Sequence, residues 1–129
     1  MAKTYTIDEL IAMPDDELNA LAGTVMGWSC PSSKELKKGA WPGYDKGNGE
    51  YLHMSNWRPA ANRSQSCELL EWFTSRRFTV SIGRDQRGIT DVGISHSDHK
   101  TVGAHHEDWA RAETVAAVAM WLEMKKELS

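Results

Sequence analysis

Leu18, Leu21, Ala22 and Val25 recur at steps of three and four and mark one apolar face of a helix. Pro14 suits a first helical position, and Asp15, Asp16 and Glu17 suit the positive end of the helix dipole, so the pattern predicts a helix that starts here and stops at Gly27. Just upstream, Thr6-Ile7-Asp8-Glu9 has the Thr-x-x-Glu spacing of a capping box, which starts a helix that Pro14 interrupts after Met13, giving two short helices or one kinked helix. From Ser29 the periodicity dissolves into Pro31, Ser32, Ser33, a Lys34 to Lys38 charge cluster and Gly39, Gly43, Gly47 and Gly49. The expectation for about 29–50 is a long glycine and aromatic loop. Loops beyond about 12–15 residues are usually functional or disordered, and Trp41, Tyr44 and Tyr51 favour order.

Tyr51 to Asn56 predicts a short strand, followed by a cap at Asn62 or Ser64 and a helix whose apolar face holds Leu69, Leu70, Trp72 and Phe73. Arg76 and Arg77 sit at its negative end. Phe78-Thr79-Val80-Ser81-Ile82 alternates as a half-buried strand does; Asp85-Gln86-Arg87-Gly88 reads as a turn, and Ile89 to Ser95 as the returning hairpin strand. Lys100 to His106 predicts one more strand. Val115, Val118, Ala119 and Leu122 follow the helical period in a last helix, for which Thr114 is the preferred cap over Asp108.

Three blocks together carry a resemblance: Glu17 to Trp28 with its Val25-Met26-Gly27-Trp28 end, Trp57-Arg58-Pro59 leading to Trp72, and Ala112-Glu113-Thr114 entering the alanine-rich last helix. The chain resembles the phage ABA sandwich domain family of small bacteriophage proteins. The resemblance implies phage origin and an α+β fold in which a small, mainly antiparallel sheet is flanked by three helices as an α/β/α sandwich, spanning 1–129 as a single domain. It lends no function to the segment from Cys30 to Gly49 or to the histidine-rich segment. The polar face made by Thr79 and Ser81 suits a sheet covered on one side better than a sandwich, so part of that face is expected to be open.

Charge and composition narrow the field. A formal net charge of -3, with both signs mixed along the chain, argues against non-specific nucleic-acid binding. Cys30 and Cys67 lack Cys-x-x-Cys or Cys/His spacing and follow no secretory signal, the stretch Met1 to Tyr5 has no apolar targeting core, and no apolar run reaches the roughly 20 residues that a membrane span needs. A cytoplasmic protein, in the host cell if phage-encoded, is the expectation.

Two constellations offer chemistry. Trp41, Tyr44 and Trp57, with Arg58, Arg63 and Arg84, combine rings that stack a base or clamp a peptide with guanidinium forks that hold a phosphate. His96, His99, His105 and His106, beside Asp98 and Glu107, are residue types that bind transition metals, but their spacing matches no recognised frame, and a hydrogen-bonded His96 at the core edge is the plainer reading. The glycine run lacks the order of a phosphate-binding loop, and neither cysteine sits in a catalytic frame. Asp15, Asp16 and Glu17 read as a helix start, and Trp121 and Met124 as core with a dimer contact as the lesser alternative.

No coherent catalytic frame emerges and no cofactor is implied. The leading expectation is therefore a phage-encoded accessory protein that binds rather than catalyses, antagonising host defence by sequestering a nucleotide-like ligand or by blocking a host protein, which would need an exposed apolar patch. The alternatives are a metal-dependent hydrolase built on the histidine cluster and a virion or assembly component.

Overall fold

The computed structural model describes residues 4–128; the targeting reading of Met1 to Lys3 lies outside them, as does Ser129. The elements run α1 (Ile7–Ala12), α2 (Asp15–Val25), α3 (Ser33–Lys37), β1 (Gly43–Asp45), β2 (Tyr51–His53), α4 (Arg63–Thr74), β3 (Thr79–Arg84), β4 (Thr90–His96), β5 (His99–His106) and α5 (Trp109–Met124), with a single 3-10 turn at Met54–Asn56. Both sheets are antiparallel: β1 pairs with β2, and β3-β4-β5 form a three-stranded meander. The α+β class and the antiparallel pairing are those expected.

Local rules account for most boundaries. The Thr6 hydroxyl accepts from the Glu9 N–H and the Glu9 carboxylate from the Thr6 N–H, a capping box that starts α1. The predicted break at Pro14 separates α1 from α2, and Asn62 caps α4 by accepting from Gln65 N. Asp85 organises the β3-β4 turn by accepting from the backbone of Arg87 and Ile89, while its other oxygen takes the Arg87 side chain; these bonds hold its carboxyl below the usual range.

Several boundaries differ from expectation, among them the predicted Tyr51 to Asn56 strand, which ends at His53 and gives way to the 3-10 turn. The stretch taken as loop holds α3, where Ser32 and Glu35 make a second capping box, and β1, whose Tyr44 faces Leu52 across the hairpin. Glycine and proline content had masked the Ser-x-x-Glu signal. The last helix starts six residues before the preferred point: Asp108, not Thr114, is its cap and accepts from Ala110 N. Thr114 lies inside the helix, fully buried, with no hydrogen-bond partner for its hydroxyl among the described residues. Among the described residues the α-helices number five rather than three.

Helix α5 is the axis of the molecule. Every residue from Ala112 to Met120 is buried, and α1, α2, α4, β4 and β5 all pack on it. A helix apolar on all sides must be enclosed, and its small side chains Ala112, Ala116, Ala117 and Ala119 let neighbours approach from several directions. Trp121 and Met124 are partly buried against the same core. One face of the meander, with Thr90, Val92, Ile94, Val102 and Ala104, is buried; β4 and β5 both pack on α5, and β5 also meets α1. Thr79, Ser81, Gly83, Asp91, Thr101, Gly103 and His105 on the other face are exposed, so the sheet is open there, as the polar alternation of Thr79 and Ser81 had suggested.

On the far side of α2 an aromatic group closes the core. The Trp28 ring lies 5.8 Å from Tyr44 and 4.7 Å from Trp57, both nearly inaccessible. Gly23 permits this approach, because a Cβ there would stand 2.6 Å from the Tyr44 ring. Asn19 of α2 then fastens the segment after the 3-10 turn: its carbonyl accepts the Trp57 indole N–H at 3.1 Å, and its side-chain oxygen accepts Ala60 N–H at 2.9 Å. Asn19→Ala leaves the buried Ala60 N–H unpaired and is expected to cost about 1–3 kcal/mol in urea denaturation, whereas the exposed change Gln86→Ala should stay within about 0.5 kcal/mol of wild type.

Candidate functional site

The residues singled out in the sequence fall into three places. Tyr44 and Trp57 are core side chains, each 1% exposed, with ring faces packed against protein. Stacking of a ligand by these two rings is thereby corrected to a structural role, and burial pushes the Tyr44 phenol well above its ordinary pKa. Arg58 is exposed beside a shallow cleft lined by Asp15, Asp16, Asn19, Tyr44, Met54 and Ser55, and its backbone N–H is tied to Gln65. Neither Arg63 nor Arg84 lines this cleft.

Trp41, 50% exposed, is the one ring of the predicted ligand-binding trio that reaches the surface, and it does so beside Tyr51 of the same aromatic stretch, 65% exposed. The hairpin register brings them together: β1 and β2 pair Gly43 with His53 and Asp45 with Tyr51, and the Trp41 ring sits edge-on to Tyr51 at 6.0 Å and to His53 at 5.9 Å. Gly43 makes the seat, since a Cβ there would lie 2.1 Å from the indole and 2.7 Å from the Leu52 carbonyl. Beside the rings runs a cleft of about 370 Å³ lined by Ser29, Cys30, Pro31, Glu35 and Asp45. Its charged side chains are carboxylates, and none of the predicted arginines lines it. A nucleotide phosphate would be repelled here, whereas an apolar or cationic side chain of a protein fits.

Arg63 and Arg84 do converge, but on Trp109, which the sequence reading passed over. Their guanidinium carbons lie 4.0 and 5.0 Å from the centre of its ring. Beneath Arg63 lies Glu113, fully buried, whose carboxylate accepts from Arg63 Nε at 3.1 Å, from Ser66 Oγ at 3.0 Å, and from the Cys67 thiol at 3.8 Å. A charge can be kept in the interior when paired and hydrogen-bonded in this way. The signal for this cluster was faint: a charged residue at the start of an alanine-rich run.

The four histidines do not form one cluster. His96 and His99 flank the β4-β5 turn and pack on Phe78, at 4.5 and 6.0 Å. His96 Nδ1 accepts from Asp98 N, so the reading of a hydrogen-bonded core-edge histidine fits its position. His106 lies at the other end of the strand, accepting from Asp108 N, and His105 pairs with Asp91 at 2.7 Å on the open face. An eight-residue strand is on the order of 25 Å long, too far for shared ligation. Among the described residues no three His, Cys, Asp or Glu side chains are arranged to hold a metal ion. The constellation required by a metal-dependent hydrolase is not assembled. Asp15 of the acidic start of α2 is paired with Arg111.

Neither thiol is poised as a nucleophile. Burial, then Glu35, pushes Cys30 upward; burial, then Glu113, pushes Cys67 upward. Alkylation by iodoacetamide, followed at each cysteine by mass spectrometry, should therefore rise with pH above the range of an ordinary thiol, about 8.5. A half-maximal rate near pH 7 at either position would contradict this. Compared with known proteins, the chain matches no family model, no curated protein and no solved structure.

Proposed function

We propose that this chain is a phage-encoded accessory protein that acts by binding, with the β1-β2 hairpin as the surface that engages and blocks a host protein. The phage part of the reading rests on the resemblance of the Val25-Met26-Gly27-Trp28, Trp57-Arg58-Pro59 and Ala112-Glu113-Thr114 blocks. The binding part rests on one observation: Trp41 and Tyr51, two of the three large hydrophobic side chains that are exposed among the described residues, are adjacent on one hairpin. Aromatic side chains cluster where interfaces draw most of their affinity, because they bury much area with few rotatable bonds.

The geometry supports a partner better than a folding role for this pair. Trp41 contributes little to the core at half exposure, yet its position is held by Gly43 and by two edge-on ring contacts. A side chain ordered before contact loses less entropy on binding than a free one. The carboxylates of Glu35 and Asp45 beside it select a partner surface with Lys or Arg at its rim. No described helix is long and apolar enough to cross a membrane, and the proposed site of action is the host cytoplasm.

Removal of a central aromatic from an interface typically costs over 1 kcal/mol. Affinity capture from host lysate with wild-type protein and with the Trp41→Ala/Tyr51→Ala variant, compared by quantitative mass spectrometry, should show one host protein retained by wild type and depleted at least about tenfold by the variant. Unchanged circular dichroism and thermal midpoint in the variant are expected, since both rings are surface-exposed. Equal retention by a folded variant would remove the hairpin from the interface. Gly43→Ala should give the same loss with both rings present, because the added methyl displaces Trp41 from its seat.

A further inference from the structure

A second surface, remote in sequence from the hairpin, has a different chemistry. Trp109 opens α5, Arg63 opens α4 and Arg84 closes β3, so three elements bring two guanidinium groups onto one indole. Each arginine is anchored through part of its fork. Arg63 donates from Nε to buried Glu113, and Arg84 donates from Nη1 to the Thr90 hydroxyl at 2.9 Å and to the Glu107 carbonyl at 3.2 Å. Among the described residues, the two terminal nitrogens of Arg63 and Nη2 of Arg84 have no protein acceptor.

The cluster itself holds two guanidinium charges and one buried carboxylate, Glu113. With centres 4.0 and 5.0 Å from one ring, the two cations lie within about one Debye length, about 10 Å at 0.1 M salt, and repel each other. Glu113 balances one of them. Of the other carboxylates, Asp108 accepts from Ala110 N as the cap of α5 and Asp85 is paired with Arg87. The exposed Glu107, whose backbone carbonyl holds Arg84, makes no side-chain hydrogen bond or ion pair among the described residues, so a bound phosphate has to compete with it. His106 accepts from Asp108 N through Nδ1. Two forks held apart by an aromatic spacer, with terminal donors left over, match the several oxygens of a phosphate better than the two of a carboxylate. Their anchors sit on helices and a strand, so little ordering cost remains at binding.

We infer that Arg63, Arg84 and Trp109 form a binding site for a phosphate-bearing anion, either a free phosphate species or the phosphates of a nucleotide. The site is independent of the hairpin, and either can fail alone. Arg84 is the residue to change, since removing Arg63 would strand the buried Glu113.

The experiment is a titration of the isotopically labelled full chain with sodium pyrophosphate at low salt, followed by 15N correlation spectra, with the Trp109 indole assigned from Trp109→Phe. The Trp109 indole N–H and the Arg63 and Arg84 Nε–H resonances are expected to shift together and saturate, with a Kd of about 1 mM or tighter. Arg84→Gln should weaken binding at least about tenfold while leaving the remaining spectrum in place, and Arg84→Lys should fall between. Titration with adenosine diphosphate separates the two sources: equal affinity identifies phosphate alone as the recognised group, and markedly tighter binding identifies a nucleotide. Absence of a saturable shift at these three resonances up to about 20 mM of either probe, weaker than any affinity of use to a binding protein, would overturn the site. Binding by Arg84→Gln equal to wild type would do the same.

Discussion

The enclosure of α5 is the constraint to which the rest of the structure answers. A helix buried from Ala112 to Met120 has to be covered on every side at once, and in a chain of this size that requires nearly every other element. The β4-β5 face supplies one wall, α2 and α4 supply others, and α1 closes against β5. Alanine at four positions keeps the helix narrow enough for these walls to meet around it, and Val115, Val118, Met120 and Leu122 fill the space between. The same demand explains the open face of the meander: the helical cover is used up on the side that holds α5.

Polar anchors then place the peripheral elements with a precision that apolar packing alone does not give. Arg111, half-buried on α5, donates to the carbonyls of Ile11 at 2.9 Å and Met13 at 3.0 Å and pairs with Asp15, tying the end of α1 and the start of α2 to the central helix. Asn19 does the same for the Trp57 to Ala60 segment, and Glu113 for the start of α4. Each of these groups would be costly if left unpaired in the interior, so each fixes one arrangement of its neighbours and disfavours others.

These anchors also prepare the surface. Because Glu113 holds Arg63, and Thr90 with Glu107 holds Arg84, two guanidinium groups stand over Trp109 in defined positions. Because Gly43 leaves room, the Trp41 ring is seated beside Tyr51 and His53. The predicted ligand residues thus separate: Arg63 and Arg84 meet over Trp109, Trp41 stands on the hairpin beside carboxylates, Arg58 lines another cleft, and Tyr44 and Trp57 belong to the core.

Element type was largely legible in the sequence, because it follows from short-range rules: the Thr6 and Glu9 capping box, Pro14 at a helix start, the alternation from Phe78 to Ile82, and the Asp85 to Gly88 turn all act within a few residues. The Ser32 and Glu35 box was equally local, yet it was hidden among glycine and proline. The start of α5 was not decided by Thr114, because Asp108 supplies the cap and the buried stretch from Ala112 favours helix over a later start that would have left Trp109 to Glu113 outside it. The site residues were legible as types and not as a set. Nothing local distinguishes Trp41 at the surface from Trp57 in the core, or joins Arg63 and Arg84 to Trp109 across 46 and 25 positions of chain. The sequence by itself determined where helices and strands form, since backbone bonding and side-chain periodicity are settled among neighbours. Only the tertiary structure decided which rings are covered and which charges meet, because those depend on how distant elements enclose α5.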